Sequence, residues 1–162
     1  GTYAIANPAS RLARVVQALR AAGVDATPVE TTGEARTAEA AAIEANCALD
    51  QIVKSILFQG ESGQLYLFLT AGGNRVDATL AQSLAGESLS RADGNRVRQV
   101  TGFAIGGVAP IGHLSPLPTF LDPRLQDFSV VWAAAGTPRH IFATDPATLV
   151  QITAARIASF TA

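Results

Sequence analysis

The chain has 162 residues, of which 48% are hydrophobic and 15% charged, and its formal net charge is −1 at pH 7. This composition predicts one globular domain with a sizeable core and excludes a disordered chain. The near-neutral charge argues against broad coating of DNA or RNA, because such binding needs many phosphate contacts. The charge does not exclude binding to one end of a nucleic acid.

Cysteine and histidine are scarce, which limits the possible site chemistry. The single cysteine, Cys47, excludes an intrachain disulfide and a cysteine-rich metal site, and it is interpreted as a small buried residue. With only two histidines we expect no metal and no other cofactor. No apolar run reaches the length of a membrane span and no leader pattern is present, so a cytoplasmic protein is expected.

Helix and strand signals alternate along the chain, with capping residues before most of the helices and Gly after two of them, at positions 23 and 86. The first predicted elements are a helix over 8–22 that starts at Asn7-Pro8, a strand within 24–30 and a helix from the Thr37 cap to 45. Strands over 51–58 and 64–70 follow, then a helix over 78–85 after Asp77, a strand over 88–92 and a helix over 93–100. The last elements are an edge strand over 118–121, a helical turn over 124–128, strands over 129–135 and 139–143, and a helix over 146–158.

The strand at 51–58 carries an unusual cation. Its alternation places Lys54 on the same face as Ile52, Ile56 and Phe58. Lys54 is the only lysine, and the other 11 of the 12 basic residues are arginines. Because lysine is a compact charge and arginine a flat fork, this position is interpreted as one that needs a compact ammonium. The alternative is a lysine at a strand edge that extends its charge to water.

The segment at 101–113 contains four glycines and one proline, which excludes a regular element. Adjacent Gly106 and Gly107 would let a small polar substrate approach the backbone, and Pro110 would stiffen one wall. The alternative is a wide turn between strands. The spacing matches neither a dinucleotide-binding fingerprint nor a phosphate-binding loop.

Two further polar residues each have two interpretations. Asp77 is favoured as a helix cap over a catalytic acid. His140 follows a glycine-containing turn at the start of a strand, where it is either a surface residue or part of a site.

Four segments, in this order and spacing, resemble the YbaK/ProX aminoacyl-tRNA deacylase family, which is related to the insertion editing domain of bacterial prolyl-tRNA synthetase. They are IVKSILF at 52–58, NRVD at 74–77, GFAIGGVAPIG at 102–112 and AAGTPRH at 134–140. The resemblance covers about residues 30–155. It implies a single α/β domain with a mixed, partly barrel-like sheet flanked by helices.

The resemblance also implies roles for individual residues. Lys54 matches the essential lysine of the family, and the segment at 106–110 matches its substrate loop, so that Gly106 and Gly107 join Lys54 as catalytic candidates. The implied substrate-binding residues are Ser55, Ile56, Thr70, Asp77, Val108, Ala109, Pro110, Gly136 and His140. The implied partners are the aminoacylated 3′ adenosine of tRNA and, beyond it, prolyl-tRNA synthetase.

The residues restrict the mechanism of such a deacylase. No Ser-His-Asp arrangement is evident, which leaves positioning and electrostatics. Lys54 could hold the terminal adenosine or stabilise negative charge on the ester oxygen, and the Gly106-Gly107 backbone could orient water. The resemblance implies help from the ribose hydroxyl of the substrate. Burial would lower the pKa of Lys54 and a nearby acid would raise it, and the sequence leaves both directions open.

The function indicated is free-standing editing of misacylated tRNA, with tRNA-Pro carrying Ala or Cys as the implied substrate. The residue admitted would depend on a pocket whose volume is set by Ile56, Phe58, Leu69 and Val108. Two alternatives stay open: a module that binds a nucleotide or aminoacyl-tRNA end without turnover, and a structural domain that docks on a synthetase.

Overall fold

The computed structural model describes residues 8–162, with side chains from residue 10 onward. The predicted cap at Asn7 lies outside this range. The helices within it are α1 (Pro8–Ala21), α2 (Ala38–Ala45), α3 (Ala78–Ala85), α4 (Gly94–Thr101) and α5 (Pro146–Thr153). The strands are β1 (Val29–Glu30), β2 (Ile52–Gly60), β3 (Leu65–Ala71), β4 (Leu89–Arg91), β5 (Thr119–Leu121), β6 (Val131–Ala134), β7 (His140–Thr144) and β8 (Arg156–Ile157).

The strands form one mixed sheet in the order β1-β7-β6-β2-β3-β5-β8, with β4 paired to β2 beside this path. The β1–β7, β2–β3, β2–β4 and β6–β7 pairs are antiparallel, and the β2–β6, β3–β5 and β5–β8 pairs are parallel. The predicted α/β class with a mixed sheet is therefore confirmed. No helix in the described range is both long and apolar enough to cross a membrane.

The β2–β3 hairpin is the centre of the sheet, as the sequence predicted. All seven residues of β3 are buried, because the strand is apolar on both faces. Leu65, Leu67 and Leu69 enter the main core, whereas Tyr66 and Phe68 enter a second, aromatic cluster with Phe120 and Phe160. In the register of the hairpin, Lys54 lies opposite Thr70.

The other edge of β2 divides between two partners. Residues 52–53 pair with Trp132 and Ala133 of β6, and residues 58–60 pair with β4. Between these two contacts, residues 54–57 have a strand partner only on the β3 side within the described range. The sheet therefore opens at the level of Lys54, and this gap positions the site.

The predicted helix caps are confirmed in the structure. The side chains of Thr37, Asp77, Asp93 and Asp145 each accept a hydrogen bond from the backbone amide three residues later, at 3.0–3.2 Å. The predicted short strand within 24–30 is also present, although β1 contains only two residues.

The C-terminal region differs from its prediction in two ways. The helix predicted over 146–158 ends at Thr153, where Ala154 takes a left-handed conformation with φ of 54°. Residues 156–157 then pair with β5 as strand β8, so β5 is not the edge strand that was predicted. This long-range pairing overrides the apolar periodicity, and it places Phe160 in the aromatic cluster with Phe68, at 5.0 Å between ring centroids.

Candidate active site

A cavity of about 510 Å³ lies at the gap in the sheet beside β2. Its wall is mainly apolar, with side chains from β2, β6, β7 and the glycine loop that include Ile52, Ile56, Trp132, Ala133, Ile141 and Val108. Its polar residues come from β2, from β4 and from the start of α2, and they are Arg36, Thr37, Glu39, Lys54, Ser55 and Arg91. The volume is typical of a small-molecule site.

Lys54 is half-buried on the wall of this cavity, and its ammonium donates a hydrogen bond to the backbone oxygen of Asn74. That acceptor is itself held in place, because the Asn74 side-chain amide donates to buried Asp122 at 2.9 Å. The same carboxylate accepts from the Ala71 amide at 3.1 Å. An ammonium has three donors, so its contact with Asn74 leaves two for a ligand.

Burial lowers the pKa of Lys54 below its ordinary value. Glu39 opposes the shift most strongly, Arg75 adds to it, and Asp122 and Asp50 oppose it more weakly. Of the two directions left open by the sequence, desolvation is therefore the larger. The three carboxylates favour the charged form in a wall that otherwise disfavours it.

The glycine loop between α4 and β5 reaches the same cavity through Gly106 and Val108. Gly106 has a φ of +96°, and a Cβ added there would lie 2.9 Å from Nη1 of Arg36. A Cβ on Gly107 would lie 2.9 Å from the backbone carbon of Thr137. Both positions thus require glycine, Gly106 for its backbone conformation and Gly107 for close packing against the turn between β6 and β7.

Arg14 of α1 holds this loop from outside, and His113 holds it from within. Arg14 donates from Nε to the oxygen of Gly112 and from Nη2 to the oxygen of Thr101, both at 3.2 Å, and its guanidinium lies 4.5 Å from the ring centroid of Phe103. His113 Nε2 lies 2.7 Å from the oxygen of Ala109 and therefore carries the donated proton. Burial lowers the pKa of His113, Arg14 lowers it further, and the contact with Ala109 opposes both.

The structure brings some of the sequence-predicted site residues together and separates others. The cavity wall includes Lys54, Ser55, Ile56, Gly106 and Val108. A second cavity, on the other side of the loop, is lined by Gly107 and His140. In it, Nδ1 of His140 lies 2.6 Å from the Thr137 hydroxyl.

The remaining predicted substrate-binding residues line neither cavity. The Thr70 hydroxyl is fully buried and donates to the oxygen of Phe68 at 3.0 Å. Asp77 caps α3 by accepting from the Leu80 amide. Ala109 and Pro110 of the loop are buried, as is Gly136 of the turn between β6 and β7.

The prediction of the pocket-forming residues is partly wrong. Ile56 and Val108 line the cavity, but Phe58 and Leu69 do not. Phe58 lies further along β2 and packs edge-on against Phe68, with ring centroids 5.8 Å apart. Leu69 points to the opposite face of β3 and is fully buried in the main core.

Several residues of the wall were not found by sequence reasoning, among them two charged side chains and one aromatic. Glu39 occupies the first turn of α2 and contributes a carboxylate, Arg36 precedes that helix, and Trp132 comes from β6. The predicted cap at Thr37 could have indicated Glu39, because it places this carboxylate in the first turn of the helix that precedes the lysine strand. Within residues 8–162 no group of three or more metal-ligating side chains is present.

Comparisons with known proteins identify the family of this chain. The family model of the aminoacyl-tRNA editing domain matches residues 32–152. A Bacillus subtilis protein, "Uncharacterized protein YwhH", is 30% identical over 82% of this chain and 83% of its own length. The Enterococcus faecalis protein "Putative Cys-tRNA(Pro)/Cys-tRNA(Cys) deacylase EbsC" is 26% identical over 62% of this chain and 70% of its own length.

A solved structure extends the similarity to nearly the whole chain. It is described as "a putative trans-editing enzyme for prolyl tRNA synthetase", is 44% identical, and superposes with a TM-score of 0.89 over 94% of this chain and 97% of that one. The family match spans both the lysine strand and the glycine loop. This chain therefore belongs to the aminoacyl-tRNA editing domain family and is an aminoacyl-tRNA deacylase.

Proposed function

We propose that this deacylase acts in trans on tRNA-Pro that carries a small wrong amino acid such as Ala or Cys. The observation that carries the proposal is that Lys54 and Gly106 share the wall of one mainly apolar cavity. The names of two relatives support the choice of tRNA, since one refers to Cys-tRNA(Pro) and the other to prolyl tRNA synthetase.

In the proposed reaction, water attacks the carbonyl carbon of the ester between the amino acid and the terminal ribose. A bond forms from the water oxygen to that carbon, and negative charge develops on the carbonyl oxygen. The Lys54 ammonium, with two donors left after its contact with Asn74, stabilises this charge. The ester C–O bond then breaks, and the proton lost by water ends on the ribose oxygen, relayed by the neighbouring ribose hydroxyl.

The backbone of the glycine loop has a positioning role in this proposal. Gly106 presents its peptide groups to the cavity without a side chain, so a substrate can approach the backbone closely. Because Gly107 packs against the backbone at Thr137, the loop is supported from behind. Such support matters, since catalysis by preorganised groups depends on their being held in place.

Selectivity for a small residue would come from the apolar part of the wall. Ile56, Val108 and Ile141 line the cavity, which has to accept the terminal adenosine together with the amino acid. One methylene in an apolar pocket changes discrimination by only about 1–3 kcal/mol. A second site that rejects by size can therefore remove errors that a synthetase pocket lets through.

The test is a deacylation panel with the wild type and Lys54→Ala. The substrates are Ala-tRNA-Pro, Cys-tRNA-Pro, Pro-tRNA-Pro and Cys-tRNA-Cys. We expect the wild type to release Ala or Cys from tRNA-Pro faster than it releases Pro, and Lys54→Ala to lose about 10²–10³-fold in kcat. Arg156→Gln, an exposed arginine outside both cavities, is the control.

Three results would contradict the proposal in different ways. Release of Pro as fast as Ala or Cys would refute the size selectivity. Full activity of Lys54→Ala would remove the lysine from the mechanism. Tight binding of all four charged tRNAs without release would favour a binding module, and capture of prolyl-tRNA synthetase that does not depend on Lys54 would favour a docking domain.

A further inference from the structure

The second cavity, of about 880 Å³, lies directly beside the first. The two share Arg36 and Ile105, and only the glycine loop separates them. Ile105 stands on the shared rim with 59% of its surface exposed. A ligand that fills one cavity can therefore continue over the rim into the other.

The wall of this second cavity is strongly cationic, although the whole chain has a net charge of −1. Its arginines come from α1, from the segment before α2, from α4 and from the turn before β7, and they are Arg11, Arg36, Arg98 and Arg139. Its carboxylate is Glu34, which pairs with Arg36 at 2.7 Å. We call these four arginine side chains the arginine groove.

Within the described residues, three of the four arginines make no ion pair, although Arg139, after Arg36, is close enough to Glu34 to lower the pKa of that carboxylate. Within residues 8–162, no carboxylate oxygen lies within 4.0 Å of the guanidinium of Arg11, Arg98 or Arg139. The first seven residues of the chain include no Asp or Glu. No carboxylate side chain of residues 1–7 can therefore neutralise the groove.

Arg11 is in an unfavourable environment in this cluster of arginines. Its Nε is buried and has no hydrogen-bond partner among the described residues. Burial lowers the pKa of Arg11, and the neighbouring Arg98 lowers it further by repulsion between like charges. A buried donor without an acceptor is unfavourable, and an anion between the two guanidinium groups would supply both the acceptor and the opposite charge.

We propose that the arginine groove binds the phosphodiester groups of the tRNA acceptor strand next to the aminoacylated adenosine, while that adenosine occupies the cavity of Lys54. The inference rests on the proposed function, because it takes the first cavity as the place of the tRNA 3′ end. Guanidinium groups stay protonated at any physiological pH, so their charges are always available to phosphate oxygens.

The observations favour RNA over an acidic protein segment or a free nucleotide. The groove adjoins the candidate active site of an aminoacyl-tRNA editing enzyme across a shared rim. The RNA strand that carries the ester has to extend out of the first cavity along a neighbouring surface. Of the surfaces that adjoin the cavity in the described structure, this one carries four cations. An extended polyanion uses such a groove better than a single phosphate does.

The experiment measures binding of uncharged tRNA-Pro, which requires no chemistry. Arg98→Gln, Arg139→Gln and the double variant are compared with wild type and with Arg156→Gln, and the Kd is measured at several salt concentrations. We expect each groove substitution to raise the Kd about tenfold at low salt. The slope of log Kd against log salt should fall by about 0.7 for each phosphate of the single strand that the variant no longer neutralises. Arg156→Gln should change neither value.

A second arm identifies the source of the phosphate. Hydrolysis of charged tRNA-Pro is compared with hydrolysis of a 2′(3′)-aminoacyl-adenosine that carries no phosphate. The groove variants should lose at least tenfold more kcat/KM with tRNA than with the nucleoside ester. Arg98 and Arg139 are exposed, and circular dichroism melting curves for each variant exclude unfolding as the cause of a loss.

Other outcomes overturn the proposal. Unchanged tRNA binding and an unchanged salt slope in the double variant would show that the groove does not contact RNA. Loss of AMP or inorganic phosphate binding, with tRNA binding retained, would assign the groove to a free anion. Loss of synthetase capture alone would assign it to a protein partner. Because uncharged tRNA is the probe, failure of the hydrolysis assay would leave these results interpretable.

Discussion

The two adjoining cavities carry positive charge in different ways. The first has an ammonium, Lys54, beside two guanidinium groups, those of Arg36 and Arg91, on a wall that is mainly apolar. The second has four guanidinium groups on its wall, and three of them are exposed. A compact charge in apolar surroundings is suited to stabilising charge that develops on one atom, and several permanent cations in a row are suited to holding charges that already exist.

Their supports differ as well. Lys54 is fixed by the central strand β2, by the register with β3 and by the Asn74–Asp122 contact. The arginines of the groove come from four separate segments, and several of them are close to chain turns. This difference suggests a division of tasks in which geometry matters most in the first cavity and total charge matters most in the second.

An exchange of cation type in each cavity tests this division and should give the largest effect. We expect Lys54→Arg to lose about 10²-fold or more in kcat, because the planar fork cannot replace a compact ammonium held at Asn74. Arg98→Lys should keep most of the affinity for tRNA, since the charge is retained. The measurements are single-turnover deacylation for the first variant and tRNA binding for the second.

The opposite pattern would remove the distinction. A Lys54→Arg enzyme with near wild-type kcat, together with an Arg98→Lys enzyme as weak as Arg98→Gln, would mean that geometry matters in the groove and only charge matters in the first cavity. Melting temperatures of both variants serve as controls for folding.

The sequence predicted the first cavity better than the second for a physical reason. The lysine strand, the hairpin with β3 and the helix caps depend on neighbours in the chain, so local patterns report them. The gap beside β2 depends on β4 and β6 pairing with opposite ends of one strand, and this information is spread over residues 52–133. Local signals do not contain it.

The arginine groove was missed because its members are distant in sequence. Arg11 and Arg139 are separated by most of the chain, and each of them looks like an ordinary surface cation by itself. The same limit explains the C-terminal error. Strand β8 forms only because residues 156–157 meet β5, whereas the apolar spacing from Leu149 onward favoured a longer helix.

The wall between the cavities provides the next test, with a smaller effect. An added Cβ at Gly107 meets backbone atoms of Thr137, whereas one at Gly106 meets the movable end of Arg36. We expect Gly107→Ala to cost about 1–3 kcal/mol in free energy of unfolding, because the backbone has to shift. Gly106→Ala should cost about 1–2 kcal/mol through its positive φ alone. Urea unfolding of both variants gives the values.

Both glycine variants should also disturb both cavities, because the loop is their common wall. Gly107→Ala should lower deacylation and tRNA binding together. If it lowered only one of them, the loop would not couple the two sites.

Arg14 anchors the loop to α1 and offers a further test. Arg14→Met keeps much of the aliphatic length but removes the hydrogen bonds to Gly112 and Thr101 and the contact with Phe103. Hydrogen bonds to charged groups contribute about 1.5–3 kcal/mol each, and removal of a buried charge offsets part of the loss. We expect a net loss of about 1–2 kcal/mol in urea unfolding. An Arg14→Met protein as stable as wild type would show that the anchor is not needed.

The smallest predicted effect is a dependence of stability on pH through His113. Its Nε2–H donates to Ala109, and burial holds its pKa below the ordinary value. In the unfolded chain the imidazole titrates near pH 6.5. Below that pH the unfolded state binds a proton that the folded state does not. The contribution of His113 to the free energy of unfolding is therefore complete above about pH 6.5, and it decreases as the pH falls toward the pKa of the folded state.

His113→Gln can keep a donor toward Ala109 while removing this titration. We expect the difference in unfolding free energy between pH 7.5 and pH 5.5 to be smaller in the variant than in wild type, with a slope contribution of at most about 1.4 kcal/mol per pH unit. Since His113 holds the wall common to both cavities, deacylation and tRNA binding of the wild type should weaken in parallel over this range. A variant with the same pH dependence as wild type would locate the acid sensitivity elsewhere, and the two cavities would then be expected to respond to acid separately.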